Sequence, residues 1–142
     1  MTPPPGQPWD ELHLSEDPAV ELLLALGYTY VSPEALDTER ESLKEAVLAP
    51  RLAGALRKLN PWLTDDNVHK AIRTITTVQA ASLLDASEKV HTALTYGVSL
   101  EQDGATGKKG RTVRFFDFDH PEKNELVVTR QYRLQGVKQK II

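Results

Sequence analysis

The sequence predicts an α+β fold, with helices grouped on one mixed β-sheet. Three observations carry this. Capped helical stripes of apolar residues occupy most of the first hundred positions. Runs rich in Val, Phe, Leu and Tyr dominate from Val98 onward. The chain has 142 residues, which fits one domain with a real core. Helices first and strands later suggests segregated elements rather than a barrel or a bundle.

Residues 1–14 are Pro-rich without periodicity and read as a flexible arm. Ser15 then suits a helix N-cap, Glu16 and Asp17 suit its positive end, and Pro18 is tolerated in the first turn. The run Ala19 to Leu26 ends at Gly27 and is apolar on most of its circumference, which predicts a well-buried helix. At 100° per residue Glu16, Val20 and Leu23 share one face, with Glu21 opposite. Glu16 is thus an acid at a helix start on the inward side. It is either a metal or catalytic carboxylate or a first-turn acid stabilising the helix dipole.

Tyr28 to Val31 reads as a short strand and Pro33 to Thr38 as a loop. Thr38 and Ser42 each open a capping-box spacing, so a helix is expected near here with Leu43, Ala46 and Val47 as its stripe. Pro50 opens the next helix, with Leu52, Leu56 and Leu59 at i, i+4, i+7, and Asn60-Pro61 ends it. Thr64 caps a further helix bearing Val68, Ala71, Ile72 and Ile75, with His69 off the stripe. Another runs from about Ser87 to Gly97. Val98 to Gln102 is a strand, and Asp103 to Gly110 a Gly-rich turn. That turn has the look of a phosphate loop but lacks its glycine spacing and the Ser or Thr after Lys.

The stretch Arg111 to Gly136 reads as a β-hairpin. Its arms are Val113 to Phe118 and Leu126 to Leu134, around the loop Asp119 to Asn124. Alternation places Val113, Phe115 and Asp117 on one side and Arg114, Phe116 and Phe118 on the other. All three Phe of the chain lie here, so the hairpin is expected to supply much of the core sheet.

Composition narrows the chemistry. There is no Cys, which excludes disulfides, thiolate metal sites and thiol catalysis and is compatible with a reducing cytoplasm. No apolar run is long enough to span a bilayer, and the start does not read as a secretory signal. The four His have no metal-ligand spacing. The net charge of −3 hides an asymmetry. Residues 1–107 carry 8 Lys and Arg against 16 Asp and Glu, and residues 108–142 carry 9 against 4. A basic C-terminal quarter suits an anionic partner, with Arg111, Arg114, Arg130 and Arg133 as candidate phosphate contacts, or else a sheet edge guarded by charge.

The order of short motifs adds a family. Leu26-Gly27-Tyr28-Thr29-Tyr30 is followed by Glu39-Arg40-Glu41-Ser42, then Arg51-Leu52, Ala55-Leu56, Leu59-Asn60-Pro61 and Gly97-Val98. Phe116-Asp117-Phe118-Asp119-His120-Pro121-Glu122-Lys123-Asn124 and Val127-Val128-Thr129-Arg130-Gln131 complete the series. From about Ser15 to the last residue this resembles the N-terminal region of the restriction (R) subunit of type I restriction–modification enzymes. One position departs: the family usually has Asn where Arg130 stands.

The resemblance implies a restriction-endonuclease-like fold of the PD-(D/E)xK class, hydrolysing foreign DNA with Mg²⁺ in host defence. It implies ATP-driven translocation elsewhere in the full subunit, so ATP is not expected to bind this stretch. Double-stranded DNA and the methyltransferase and specificity subunits are the implied partners, in the cytoplasm and without a membrane. Residues 15–142 would be the N-terminal part of the nuclease domain. The family's Pro-Asp and Glu-x-Lys follow the segment matching Gly136 to Ile142, and neither occurs within these 142 residues. The resemblance therefore places the main Asp and the Glu-x-Lys beyond Ile142, in a fragment that is inactive alone. An unpaired sheet edge would then allow it to dimerise. Glu16 remains as the catalytic or metal carboxylate, with Asp17 the alternate if the helix phase is off by one.

Two rivals stand beside this. Asp117 and Asp119, as Asp-x-Asp on a strand, would face the same way and could share a metal. A non-catalytic module could use the basic C-terminal hairpin on DNA or on partner subunits.

Overall fold

The computed structural model describes residues 12–104 and 107–136. They form helices and two small sheets, an α+β arrangement, in two compact units. One holds the described residues up to Ala46 and from Glu125 on, the other Val47–Asn124. Each two-stranded sheet belongs to one unit, so the described strands do not form the single mixed sheet that the sequence suggests. Residues 1–11 of the Pro-rich arm and the last six residues lie outside the description.

In the first unit a π-helical turn, Leu12–Glu16, runs directly into helix α1, Asp17–Ala25. Ser15 is therefore not an N-cap: the turn before it is already helical and leaves no chain end there. Glu16 stands at the boundary with helical backbone and makes no capping bond. Pro18 sits in the first turn as expected. The end of α1 is a Schellman motif. Tyr28 N–H donates to the Leu23 carbonyl (3.0 Å) and Gly27 N–H to that of Leu24 (3.1 Å), with Gly27 at φ +98°. Burial of α1 is narrower than its composition predicts. Val20 is its buried residue, while Leu22, Leu24 and Leu26 are exposed.

Strand β1, Thr29–Tyr30, pairs in parallel with β4, Val127–Val128, in the register Thr29↔Val127. Helix α2, Pro33–Asp37, occupies the segment expected as a loop. Ser32 caps it by accepting from Ala35 N–H (3.2 Å), and Pro33 pre-sets its first turn. The helix expected over 38–47 does not form. Its carbonyls are used elsewhere: Arg40 donates to Glu45 O (3.0 Å), Gln135 N–H to Leu43 O (2.8 Å), and Ser42 Oγ accepts from Lys44 N–H (3.1 Å) in a local turn.

The second unit follows the sequence more closely. Helix α3, Ala49–Leu59, has Pro50 in its first turn and ends at Asn60. Helix α4, Asp65–Thr76, is capped by Thr64. Helix α5, Leu83–Tyr96, starts one turn earlier than expected because Ser82 caps it, accepting from Asp85 N–H (3.1 Å). Strands β2, Val98–Gly104, and β3, Gly107–Val113, pair antiparallel from Val98↔Val113 to Gly104↔Gly107, so Gly107 to Gly110, expected within a turn, belong to a strand. Ala53, Leu56, Leu63, Val68, Ala71, Val113 and Phe115 make the core, flanked by Leu52, Trp62, Ile72, Ile75, Leu94, Val98 and Leu100.

The hairpin expected over Arg111 to Gly136 is corrected. Val113 pairs with Val98, and Val127–Val128 pair with β1. Residues 114–118 are not a strand, because side-chain amides take the bonds that a ladder would use. Arg114 N–H donates to Asn60 Oδ1 (3.0 Å) and Asp117 N–H to Asn124 Oδ1 (2.9 Å). The alternation nevertheless holds. Val113, Phe115 and Asp117 are buried, and Arg114, Phe116 and Phe118 are exposed. One Phe, not three, enters the core.

Gly97 ends α5 at φ +80°, and a Cβ there would lie 2.4 Å from Val113 O. Gly97→Ala is expected to destabilise the fold by about 2–4 kcal/mol in urea unfolding, through both backbone strain and the clash with β3. Gly54, inside α3, has open space around its Cβ position. Gly54→Ala is expected to stabilise by roughly 0.5–1 kcal/mol in the same measurement.

Candidate functional site

The candidate acids stand where α1 begins. Opposite them is the segment that follows β4, Thr129-Arg130-Gln131. The Asp17 carboxylate pairs with the Arg130 guanidinium, and Gln131 Nε2 donates to Glu16 Oε1. Arg130 also lies over the Tyr30 ring, 5.7 Å from its centroid. The hydrogen bond that Arg130 donates to Asp17 raises its already high pKa, against the opposing effect of burial. Gln131 has φ +49°, the one left-handed non-glycine among the described residues. Thr129 Oγ1 and Arg130 Nε are buried without a hydrogen-bond partner. Strain and unsatisfied polar atoms concentrated on one segment are features that functional sites retain at a cost in stability.

This arrangement separates two adjacent acids chemically. Asp17 is paired directly with the Arg130 guanidinium, while Glu16 accepts from a neutral amide and feels Arg130 only through space. Among the described residues one hydrogen bond is made to the Glu16 carboxylate, which fits one ligand position of Mg²⁺, an ion that prefers oxygen and retains several waters. Among the described residues no three His, Asp or Glu are grouped so as to hold a metal ion. The fit is therefore for one ligand and not for a complete set.

The Asp-x-Asp rival does not have the geometry it needs. Asp117 is buried and accepts from the backbone N–H groups of Asp119 (3.1 Å) and His120 (3.0 Å), while the Asp119 side chain is 80% exposed. The alternation that holds up to Phe118 stops here, because the Asp117 side chain folds back onto the N–H groups of Asp119 and His120 in a turn. Desolvation pushes the Asp117 carboxyl up. The bond from His120 N–H and the charges of His120 and Lys123 outweigh it, so its pKa lies below the ordinary value. Asp117 is thus a turn-forming acid.

The four candidate phosphate-binding arginines are divided between the units, and three of them have close partners. In the second unit Arg111 stacks on Trp62 at 3.8 Å, and Arg114 lies 4.0 Å from both Asp117 and Asp119. In the first, Arg130 holds Asp17, and Arg133 pairs with Asp37 at 3.0 Å. Sequence reasoning did not single out Arg40. It is buried, pairs with Asp37, donates to Arg133 O (2.9 Å) and lies 4.3 Å from the Tyr132 ring centroid. Its only sequence signal was its place in the motif Glu39-Arg40-Glu41-Ser42.

Comparison with known proteins gives one family. A family model described as the type I restriction enzyme R protein N terminus matches residues 9–142. A relative from Methanocaldococcus jannaschii that carries the name type I restriction enzyme MjaIXP endonuclease subunit is 32% identical over 131 residues. The match covers 89% of this chain and 12% of the relative. The type I restriction enzyme HindI endonuclease subunit of Haemophilus influenzae is 27% identical over 128 residues, covering 87% of this chain and 12% of its own length. The chain thus spans about an eighth of the length of these relatives. No solved structure matches it. Among the described residues no helix is long and apolar enough to cross a membrane.

The Asp37 pairing has a pH signature. Hydrogen bonds from Arg40 and then Arg133 hold its carboxyl below the ordinary value of 3.8. A depressed folded pKa contributes stability that is fully present above the unfolded pKa and lost as pH falls through the folded one. Urea midpoints are therefore expected to be flat from neutral pH down to about pH 5 and to fall below about pH 4. Asp37→Ala is expected to lower the neutral-pH midpoint and to make this acid decline shallower.

Proposed function

This chain belongs to the family of type I restriction enzyme R protein N termini, and from that premise we propose that it forms part of the nuclease region of such a subunit. The observation that carries the reading is the family match over residues 9–142 together with two relatives named as endonuclease subunits. Under it the fold is restriction-endonuclease-like and the reaction is Mg²⁺-dependent hydrolysis of phosphodiester bonds in foreign DNA. ATP-driven translocation lies in other parts of the subunit, and methyltransferase and specificity subunits complete the complex. Glu16 is the residue of this chain that would hold the ion, through its carboxylate. Bound there, Mg²⁺ would lower the pKa of a water nucleophile and neutralise charge on the phosphate.

The pairing of Asp17 with Arg130 favours Glu16 over Asp17 for this role, since a neutralised acid attracts a cation weakly. Gln131 holds Glu16 in place without competing for the charge. The rival with a basic hairpin has less support: that hairpin is not formed, and Arg111, Arg130 and Arg133 have close partners within their own units, which leaves Arg114 as its open cation.

The reading is tested by plasmid cleavage with Mg²⁺ in the assembled restriction complex carrying this chain. Glu16→Gln is expected to cut the cleavage rate at least about a hundredfold, and Asp17→Asn to have a much smaller effect. Wild-type rates from Glu16→Gln would remove Glu16 from the site, and a complex that never cleaves would end the nuclease assignment. The 142-residue chain by itself is expected not to nick plasmid, because it contains neither a Pro-Asp nor a Glu-x-Lys.

A further inference from the structure

The second unit carries a cavity of about 260 Å³ that no part of the proposed nuclease site uses. Tyr96, Gly97, Arg114, Phe116, Phe118 and Asp119 are among the residues that line it. Three large aromatic side chains stand open to solvent here: Tyr96 is 76% exposed, Phe118 65% and Phe116 41%. The two Phe rings form a pair with centroids 6.0 Å apart and planes inclined by 34°.

These rings are not loose surface residues. The segment bearing Phe116 and Phe118 is fixed on both sides. Asn60 bonds the backbone N–H and C=O of Arg114 at 3.0 and 2.9 Å, and Asn124 bonds those of Asp117 at 2.9 and 2.9 Å. Phe115 anchors the middle by entering the core. The backbone therefore holds two Phe side chains outward in a set geometry, at the cost of leaving apolar surface in water. Such pre-organised exposure is a mark of a binding surface.

The polar groups at the cavity say what would bind. The Arg114 guanidinium, 57% exposed, lies 4.0 Å from the Asp119 carboxylate, too far for a hydrogen bond, so each keeps capacity for a ligand. Arg114 supplies donors and Asp119 acceptors beside the tilted Phe116–Phe118 pair and the exposed Tyr96 ring. A planar ring with donors and acceptors along one edge matches all three features, which is the chemistry of a nucleobase. The cavity is smaller than the roughly 300 Å³ at which drug-sized pockets begin, which suits a single ring system. A plain apolar helix or strand from a protein partner would leave Arg114 and Asp119 unmatched.

We propose that Phe116, Phe118 and Tyr96, with Arg114 and Asp119 at the edge, form a site for one unpaired nucleobase of DNA. This rests on the reading of DNA as the substrate and adds to it a preference for locally unpaired strand.

The test titrates the 142-residue chain into a single-stranded oligonucleotide carrying 2-aminopurine, whose fluorescence is quenched on stacking, and into the same oligonucleotide in a perfect duplex. Quenching is expected with the single strand. Phe116→Ala and Phe118→Ala are each expected to weaken that binding about tenfold with the thermal midpoint unchanged, and Phe118→Trp to preserve it. Alanine variants that bind and quench like the wild type overturn the proposal. So does duplex binding without any quenching of the single strand, which leaves the DNA reading standing. Variants that keep quenching but fail to assemble with partner subunits overturn it in favour of a protein-docking surface. Absence of binding to either DNA also overturns it, while cleavage by the assembled complex decides the nuclease reading separately.

Discussion

A buried backbone N–H or C=O must find a partner, and with two short sheets among the described residues most of the irregular segments there cannot find one in a ladder. Here side chains supply the bonds. In the second unit Asn60 fixes Arg114 and also donates to Leu56 O (2.9 Å), so one amide ends α3 and anchors the segment after β3. Asn67 donates to Glu101 O (3.1 Å), and Gln102 links Trp62 O (2.7 Å) to Thr64 N–H (3.0 Å), tying the start of α4 to β2. In the first unit the same task falls to Arg40, which spans Glu45 O and Arg133 O while paired with Asp37. Removing any of these groups would leave buried backbone unbonded, which costs more than the bond itself is worth.

That dependence explains what was legible in the sequence. Helices α3 and α4 declare themselves because their signals are local: Pro50, Thr64 and the Leu52-Leu56 and Val68-Ala71 stripes lie within the elements they define. Helix α5 began earlier than its stripe, because Ser82 caps a first turn whose Leu83 and Leu84 are exposed and out of phase. The helix expected after Thr38 had capping residues in its favour. What defeated it was Arg40 and Gln135 claiming carbonyls, one partner of which is some ninety residues away in sequence. The hairpin reading had the right alternation around Phe115 and the wrong strand partners. Alternation is read along one chain segment, whereas pairing depends on competitors such as β1, distant in sequence.

The candidate site was legible in the same partial way. Spacing put Glu16 on the face of Val20; Val20 is buried, while Glu16 itself is half-buried. The groups that give Glu16 and Asp17 different chemistry could not be found that way. Gln131 and Arg130 lie 115 and 113 positions from their partners, and no local pattern marks a glutamine as the holder of a carboxylate.

Gln131 and Glu16 constrain each other. A left-handed backbone at a residue other than glycine costs about 1–2 kcal/mol. The exposed hydrogen bond that Gln131 donates to Glu16 offsets part of that cost. In return the turn sets which oxygen of Glu16 accepts from it. Arg130, one residue earlier in the same turn, is thereby directed onto Asp17. A single backbone outlier at the end of β4 thus gives two neighbouring acids different partners, one an arginine and one a glutamine, which position along α1 alone could not achieve.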